Sequence, residues 1–135
     1  MSYKIEDIEG IGKAYAEKLA AAKIATTEDL LEFCKTPQGR ETVSKTTGVS
    51  AHQLLKWTNL ADLMRVSGVG SEYSELLEAA GVDTIKELKN RRADNLAATM
   101  KQVNEAKKLT RVTPNEKTVQ EWIDNAAKLP PMITY

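Results

Sequence analysis

Apolar residues recur at helical spacing along the chain, and no segment alternates apolar and polar residues over the length of a strand. In a helix predicted from about Lys13 to Ala22, Tyr15, Leu19 and Ala22 form an i, i+4, i+7 stripe. A similar stripe near the C-terminus consists of Val119, Trp122, Ile123 and Ala126. Ala, Leu, Glu and Lys, which favour helices, are abundant. The sequence therefore predicts an all-α fold.

The chain contains an internal repeat. Residues 8–31 align with residues 66–89 at an offset of 58 positions, and nine of the 24 aligned positions are identical. Each copy carries two glycines that flank one aliphatic residue, in "GIG" at 10–12 and "GVG" at 68–70. We interpret this as a duplication. It predicts two helical units, residues 1–64 and 65–135, that share one hydrophobic core within one compact body.

A weaker similarity follows each copy. "TGVSAHQLLKW" and "VTPNEKTVQEW" both restart a helix that carries a tryptophan, Trp57 and Trp122. Their offset is 65, so the second unit has about seven additional residues, expected within "MKQVNEAKKLTRV". The tryptophans are expected to anchor the core between the units, and Tyr15 and Tyr73 to pack each turn against the next helix.

Local signals predict several helix ends. Gly81 suits the left-handed conformation that terminates a helix. Thr26, Asp83, Ser50 and Asn115 are expected to cap the N-termini of later helices. The final "LPPMITY" cannot be helical through Pro130 and Pro131, which predicts an extended tail with its apolar side chains packed back on the body.

Composition and charge narrow the functional classes. Cys34 is the only cysteine, and no apolar run reaches the roughly 18 to 20 residues of a membrane helix. With an N-terminus unlike a signal peptide, these features predict a cytoplasmic protein without a membrane partner. The net charge is zero, whereas nucleic-acid-binding domains are usually basic. Basic residues concentrate between Lys86 and Arg111, which is interpreted either as an electrostatic footprint or as a solvated helical face.

The pattern hydrophobic-x-Gly-hydrophobic-Gly followed by a helix, in "IEGIGKAYAEKL" and "VSGVGSEYSELL", resembles the helix-hairpin-helix motif. Through "GIGKAYAEKL", "LLKWTNLADLMRVSGVGSEYSELLEAAGVDTIKEL" and "LPPMITY", residues 5–135 also resemble a bacterial family of unknown function with tandem repeats of this type. The resemblance implies sequence-independent binding of duplex or junction DNA through its phosphates. Some helix-hairpin-helix proteins also hold a monovalent cation on the turn carbonyls, and this cation is the one cofactor that the resemblance suggests.

The candidate DNA-phosphate sites follow from the two turns, because glycines and a helix N-terminus expose backbone N–H groups to an anion. The first site comprises Gly10, Ile11, Gly12 and Lys13, and the second comprises Gly68, Val69, Gly70 and Ser71. A basic segment is expected to widen the second site through Lys89, Arg91 and Arg92.

An alternative interpretation assigns the turns a purely structural role. The protein would then be a protein–protein interaction scaffold, which its neutral charge favours, as do acidic residues before the first turn at Glu6, Asp7 and Glu9. His52 and Cys34 have no catalytic partners in the sequence, and no metal-binding motif is present, so we expect a non-enzymatic protein.

Overall fold

The computed structural model describes residues 3–135, and the chain is helical over most of this range. A short 3-10 helix (Ile5–Asp7) is followed by α1 (Lys13–Ala21), α2 (Thr27–Cys34), α3 (Pro37–Thr47), α4 (Ala51–Leu63), α5 (Ser71–Ala79), α6 (Ile85–Leu88), α7 (Ala93–Lys107) and α8 (Glu116–Lys128). Residues 3–135 form no strand beyond one isolated bridge between Lys4 and Thr26. The all-α prediction is confirmed. None of these helices has the length and apolar character needed to cross a membrane.

Helices α1–α4 recur as α5–α8. Helices α1 and α5 both contain nine residues and begin directly after the second glycine of their turn. Helix α7 has 15 residues where α3 has 11. The connection after it spans residues 108–115, compared with 48–50 in the first repeat. The additional residues of the second unit therefore lie in the predicted segment.

Most predicted helix ends are confirmed. Gly81 has a φ of 96° after α5, and side chains of Thr26, Ser50 and Asn115 cap α2, α4 and α8. The prediction for Asp83 was wrong, because α6 is capped by Thr84, whose hydroxyl accepts from the amide of Glu87. Thr84 is the repeat counterpart of Thr26, so the duplication preserved the capping position.

The buried apolar side chains form two clusters, not the single shared core that the sequence predicts. Leu19, Leu54 and Trp57 lie in the first cluster, whereas Leu77 and Trp122 lie in the second. The tryptophans therefore anchor their own units and do not lie between them. The C-terminal part of α4 contributes to both clusters, with Leu60 in the first cluster and Leu63 in the second.

Polar contacts join the two units where α4 ends. The carboxylate of Asp62 is buried and accepts from the amide of Ile85, at the start of α6, at 2.9 Å. It also accepts from Arg65 at 3.0 Å, and this guanidinium donates to the carbonyl of Pro130 at 2.9 Å. Burial raises the pKa of Asp62 despite these hydrogen bonds. A single side chain thus connects the last helix of the first unit with α6 of the second.

The C-terminal tail leaves α8 in an extended conformation and crosses to the first unit. The amide of Thr134 donates to the carbonyl of Lys35 at 2.8 Å. The carbonyl of Thr134 accepts from the guanidinium of the buried Arg40 at 2.8 Å. Met132 and Ile133 pack against the first cluster. The predicted extended tail, packed back on the body, is confirmed for these two side chains.

Candidate nucleic-acid interface

The two glycine turns have the same backbone. Gly10 and Gly68 have φ angles of 93° and 90°, in the left-handed region that favours glycine. Each is the third residue of a β-turn, closed by a hydrogen bond of 3.1 Å from Ile11 to Ile8 in the first repeat and from Val69 to Val66 in the second. The first glycine of each turn is therefore required by the backbone itself.

The helices that follow the turns begin without a side-chain cap. Their N-cap residues are Gly12 for α1 and Gly70 for α5, and a Cβ atom at either position would meet no atom within 4 Å. Threonine, serine or asparagine caps α2, α3, α4, α6 and α8, and α7 begins at Arg92 without a side-chain cap. No N-cap side chain therefore accepts from the first amides of α1 and α5, which lie at the positive end of a helix dipole. This geometry suits an anion.

An aromatic pair lies beneath each turn. The ring of Tyr15, in the first turn of α1, contacts Trp57 of α4 with centroids 5.1 Å apart, and Tyr73 of α5 contacts Trp122 of α8 at the same distance. The tyrosines thus pack against the last helix of their own unit, and the prediction that they pack against the next helix was wrong. The indole nitrogens lie 3.5 Å and 3.3 Å from the positions that Cβ atoms would take at Gly10 and Gly68.

Acidic residues surround the first turn. Lys13 is exposed, but it shares a shallow groove with the carboxylates of Glu6 and Glu17. On the other side of the turn, a cavity of about 120 Å³ beside Gly10 is lined by the acidic side chains of Glu9, Glu75 and Glu78 together with Lys56. The first turn therefore combines an anion-binding backbone with negative surroundings.

Burial and the neighbouring carboxylates together shift the pKa of one of these acidic groups. Partial burial raises the pKa of Glu75, and the charges of Glu9 and Glu78 raise it further. Lys56 opposes them, with its Nζ 3.9 Å from a carboxylate oxygen of Glu78. Glu9 belongs to the first turn and the other two carboxylates to α5, so the acidic surface is assembled from both units.

The second turn has different neighbours. The amide of Ser67 donates to the side-chain oxygen of Asn125 on α8 at 3.0 Å, so this donor is already used. The hydroxyl of Tyr73 donates to the carbonyl of Val112 at 3.1 Å. This contact holds the connection between α7 and α8, which contains the exposed Arg111, against Tyr73 in the first turn of α5. The same helical turn also carries Glu72. The inserted segment supplies positive charge on this side.

The basic segment after α6 lies elsewhere. Arg91 donates to the carbonyl of Gly81 at 2.9 Å and to Glu87 at 3.1 Å, and Arg92 donates to Asp94 at 2.8 Å. Gly81 follows the C-terminal end of α5, whose nine residues separate it from the glycine turn by about 15 Å. The structure therefore does not bring Lys89, Arg91 and Arg92 together with residues 68–71.

The model of a family described as Domain of unknown function (DUF4332) matches residues 9–129. The chain belongs to this family. No curated protein and no solved structure matches it significantly. The single DUF4332 match contains both glycine turns and both tryptophans, so the duplication lies within one copy of the family domain.

The sequence of this DUF4332 chain indicates the two glycine turns, but it does not indicate that a tryptophan side chain packs against each turn. Trp57 and Trp122 occupy corresponding positions of the repeat, and this correspondence was the available signal. Their indole nitrogens approach the turns through contacts between residues about 50 positions apart, which a local pattern does not encode.

Proposed function

We propose that the two glycine turns are helix-hairpin-helix motifs and that the protein is a non-enzymatic, sequence-independent DNA-binding module. The observation that supports this most is the contrast in capping. Helices α1 and α5 begin at glycines with open space beside them, whereas Thr, Ser or Asn caps five other helices. Helix α7 also lacks a side-chain cap, but it begins at Arg92 instead of a glycine. Uncapped amides and the helix dipole bind phosphate without reading bases.

The two turns contribute unequally. At the second unit, the connection that contains Arg111 is held against Tyr73 in the first turn of α5, a turn that also carries Glu72. At the first turn, Lys13 is opposed by the carboxylates of Glu6 and Glu17 in the same groove. We therefore assign the principal phosphate contact to residues 68–71 and a weaker contact to residues 10–13. The charges of Arg91 and Arg92 are partly satisfied by Glu87 and Asp94, which leaves Lys89 as the freer cation of that segment.

The direct test is a fluorescence-anisotropy titration of duplex and four-way-junction DNA at 50 and 200 mM salt. Binding is expected to be indifferent to base sequence and to weaken steeply with salt, because phosphate contacts release counterions. Absence of binding to both DNA forms at low salt and high protein concentration would rule out the proposal.

Charge reversal tests the assignment to the turns. Arg111→Glu is expected to weaken binding about five- to tenfold and to reduce the salt slope by about one, and Lys13→Glu to have a smaller effect. Lys45→Glu is the matched control, since Lys45 is exposed on α3 and pairs with Glu41. If all three variants weaken binding equally, the turns are not the contact sites and overall charge alone governs binding.

A protein-interaction scaffold is the second candidate. It is favoured by the acidic surface that Glu9, Glu75 and Glu78 form beside the first turn, which suits a basic partner better than a phosphate. The same titration separates the candidates. A scaffold would leave DNA free at every salt concentration and would bind a protein at fixed stoichiometry.

A further inference from the structure

We propose that the indole N–H groups of Trp57 and Trp122 donate hydrogen bonds to the phosphates bound at the two turns. This inference rests on the proposed DNA-binding function and adds one side-chain donor to the backbone amides of each turn. It makes each tryptophan both a core residue and part of the phosphate site.

The two indoles are buried, but their nitrogens lie beneath the glycines of the turns. Trp57 is 1% exposed and Trp122 is 3% exposed. A Cβ atom at Gly10 would lie 3.5 Å from Nε1 of Trp57, and one at Gly68 would lie 3.3 Å from Nε1 of Trp122. Because glycine has no Cβ, the space above each nitrogen stays open.

Neither indole nitrogen donates a hydrogen bond within residues 3–135. Every fully buried polar side-chain atom in that range has a partner. Within residues 3–135, an indole nitrogen without a partner therefore accounts for part of the small area that its tryptophan exposes. A buried indole normally directs its N–H to an acceptor, and leaving such a donor without one costs free energy. Both nitrogens are therefore directed at a position that an external acceptor can fill.

The arrangement occurs twice despite different chain lengths. Gly10 and Trp57 are 47 positions apart, whereas Gly68 and Trp122 are 54 apart. The longer α7 and its connection absorb this difference, and the indole nitrogens return to nearly the same distance from the glycines. Filling the core needs only a large apolar side chain. The recurring position of the nitrogen is an additional feature.

The chemistry of the donor selects the ligand. An indole N–H only donates, so the position above it suits an anion and disfavours a cation. The tyrosines whose rings contact the indoles belong to the first turns of α1 and α5, the helices that begin at Gly12 and Gly70 without a side-chain cap. A phosphate oxygen can accept from the first amides of such a helix and the indole together, and hydrogen bonds to charged acceptors are the stronger kind.

The test replaces each tryptophan with phenylalanine, which keeps an aromatic ring and removes the N–H. Trp122→Phe is expected to weaken duplex-DNA binding about tenfold, the usual effect of one hydrogen bond to a charged group. Trp57→Phe is expected to have a smaller effect, in line with the weaker first turn. Tyr135→Phe is the control, because Tyr135 is exposed in the tail. Circular dichroism verifies that each variant folds.

The two tryptophans also provide a readout that does not depend on the variants folding. The chain has two tryptophans, so the ¹H–¹⁵N spectrum of the wild-type protein contains two indole signals. Both are expected to shift downfield as duplex DNA is added. If wild-type protein binds DNA while these signals stay in place and both phenylalanine variants bind normally, the inference is wrong and the proposed function stands. If wild-type protein binds no DNA, both are wrong.

Discussion

The two repeats share one turn geometry but present it in different surroundings. Gly10 and Gly68 differ in φ by only a few degrees, and both turns have a tryptophan beneath them. The first turn faces carboxylates from both units, whereas the second lies beside a basic connection that the first unit lacks. Local sequence determines the backbone, but electrostatic potential depends on everything nearby. Duplication of a turn therefore does not duplicate its affinity.

The two units can also be compared through their hydrophobic cores, because each unit has its own buried cluster. Leu19 and Leu77 are repeat counterparts with no exposed area. Leu19→Ala and Leu77→Ala are each expected to reduce the free energy of unfolding by about 3 kcal/mol, through lost burial and the cavity left behind. Urea denaturation followed by circular dichroism measures both.

These variants also show whether the units unfold together. We expect one transition, because Asp62 caps α6 from the first unit and the tail from the second unit packs on the first cluster. Leu55→Ala, at a half-buried position on α4, is the control and should cost less. A Leu77→Ala protein that loses only half its helical signal at low urea would show that the units are independent.

What the sequence predicted was mostly local. The turns and the caps at Thr26, Ser50 and Asn115 depend on residues within a few positions of each other, and the repeat is a comparison of two such local patterns. The cap of α6 was assigned to Asp83 instead of Thr84 because both residue types cap helices well. In the alignment of the repeats, Thr84 corresponds to Thr26, and this correspondence indicates Thr84 as the cap of α6.

The arrangements at longer range depend on geometry that the sequence pattern does not contain. Residues 89–92 follow the second turn closely in sequence, but a nine-residue helix carries them to its opposite end. A single core was expected because the units adjoin, yet Leu60 and Leu63, three positions apart on α4, belong to different clusters. Which residues from different helices lie close together depends on how the helices pack. The spacing of apolar residues shows only which side of a single helix is buried.

The stability of the two clusters should respond differently to alkaline pH, since only the first cluster contains a cysteine, Cys34. Burial raises the pKa of Cys34 to about 11 from 9.0, although Thr58 and Arg40 favour the thiolate. Between these values the unfolded chain loses the thiol proton and the folded chain keeps it. The free energy of unfolding should therefore fall as pH rises from 9 to 11, by about 2 to 3 kcal/mol.

Urea unfolding at intervals from pH 8 to 11 measures this loss. Other groups also titrate in this range, so the quantity of interest is the difference between wild type and Cys34→Ala. That variant is less stable at pH 8 because it leaves a small cavity, but its stability should decline less with pH. Parallel curves for the two proteins would show that the buried thiol ionises with an ordinary pKa.

The smallest expected effect tests the cause of the difference between the turns. Glu6→Gln and Glu9→Gln remove negative charge near the first turn with little change in shape, and each should strengthen DNA binding about two- to threefold at low salt. Glu41→Gln on α3 is the control. In the double variant, Lys13→Glu should cost more affinity than in wild type, because the first turn then carries more of the binding. If removing both charges leaves affinity unchanged, the first turn does not contact DNA, and its glycines are maintained by the fold alone.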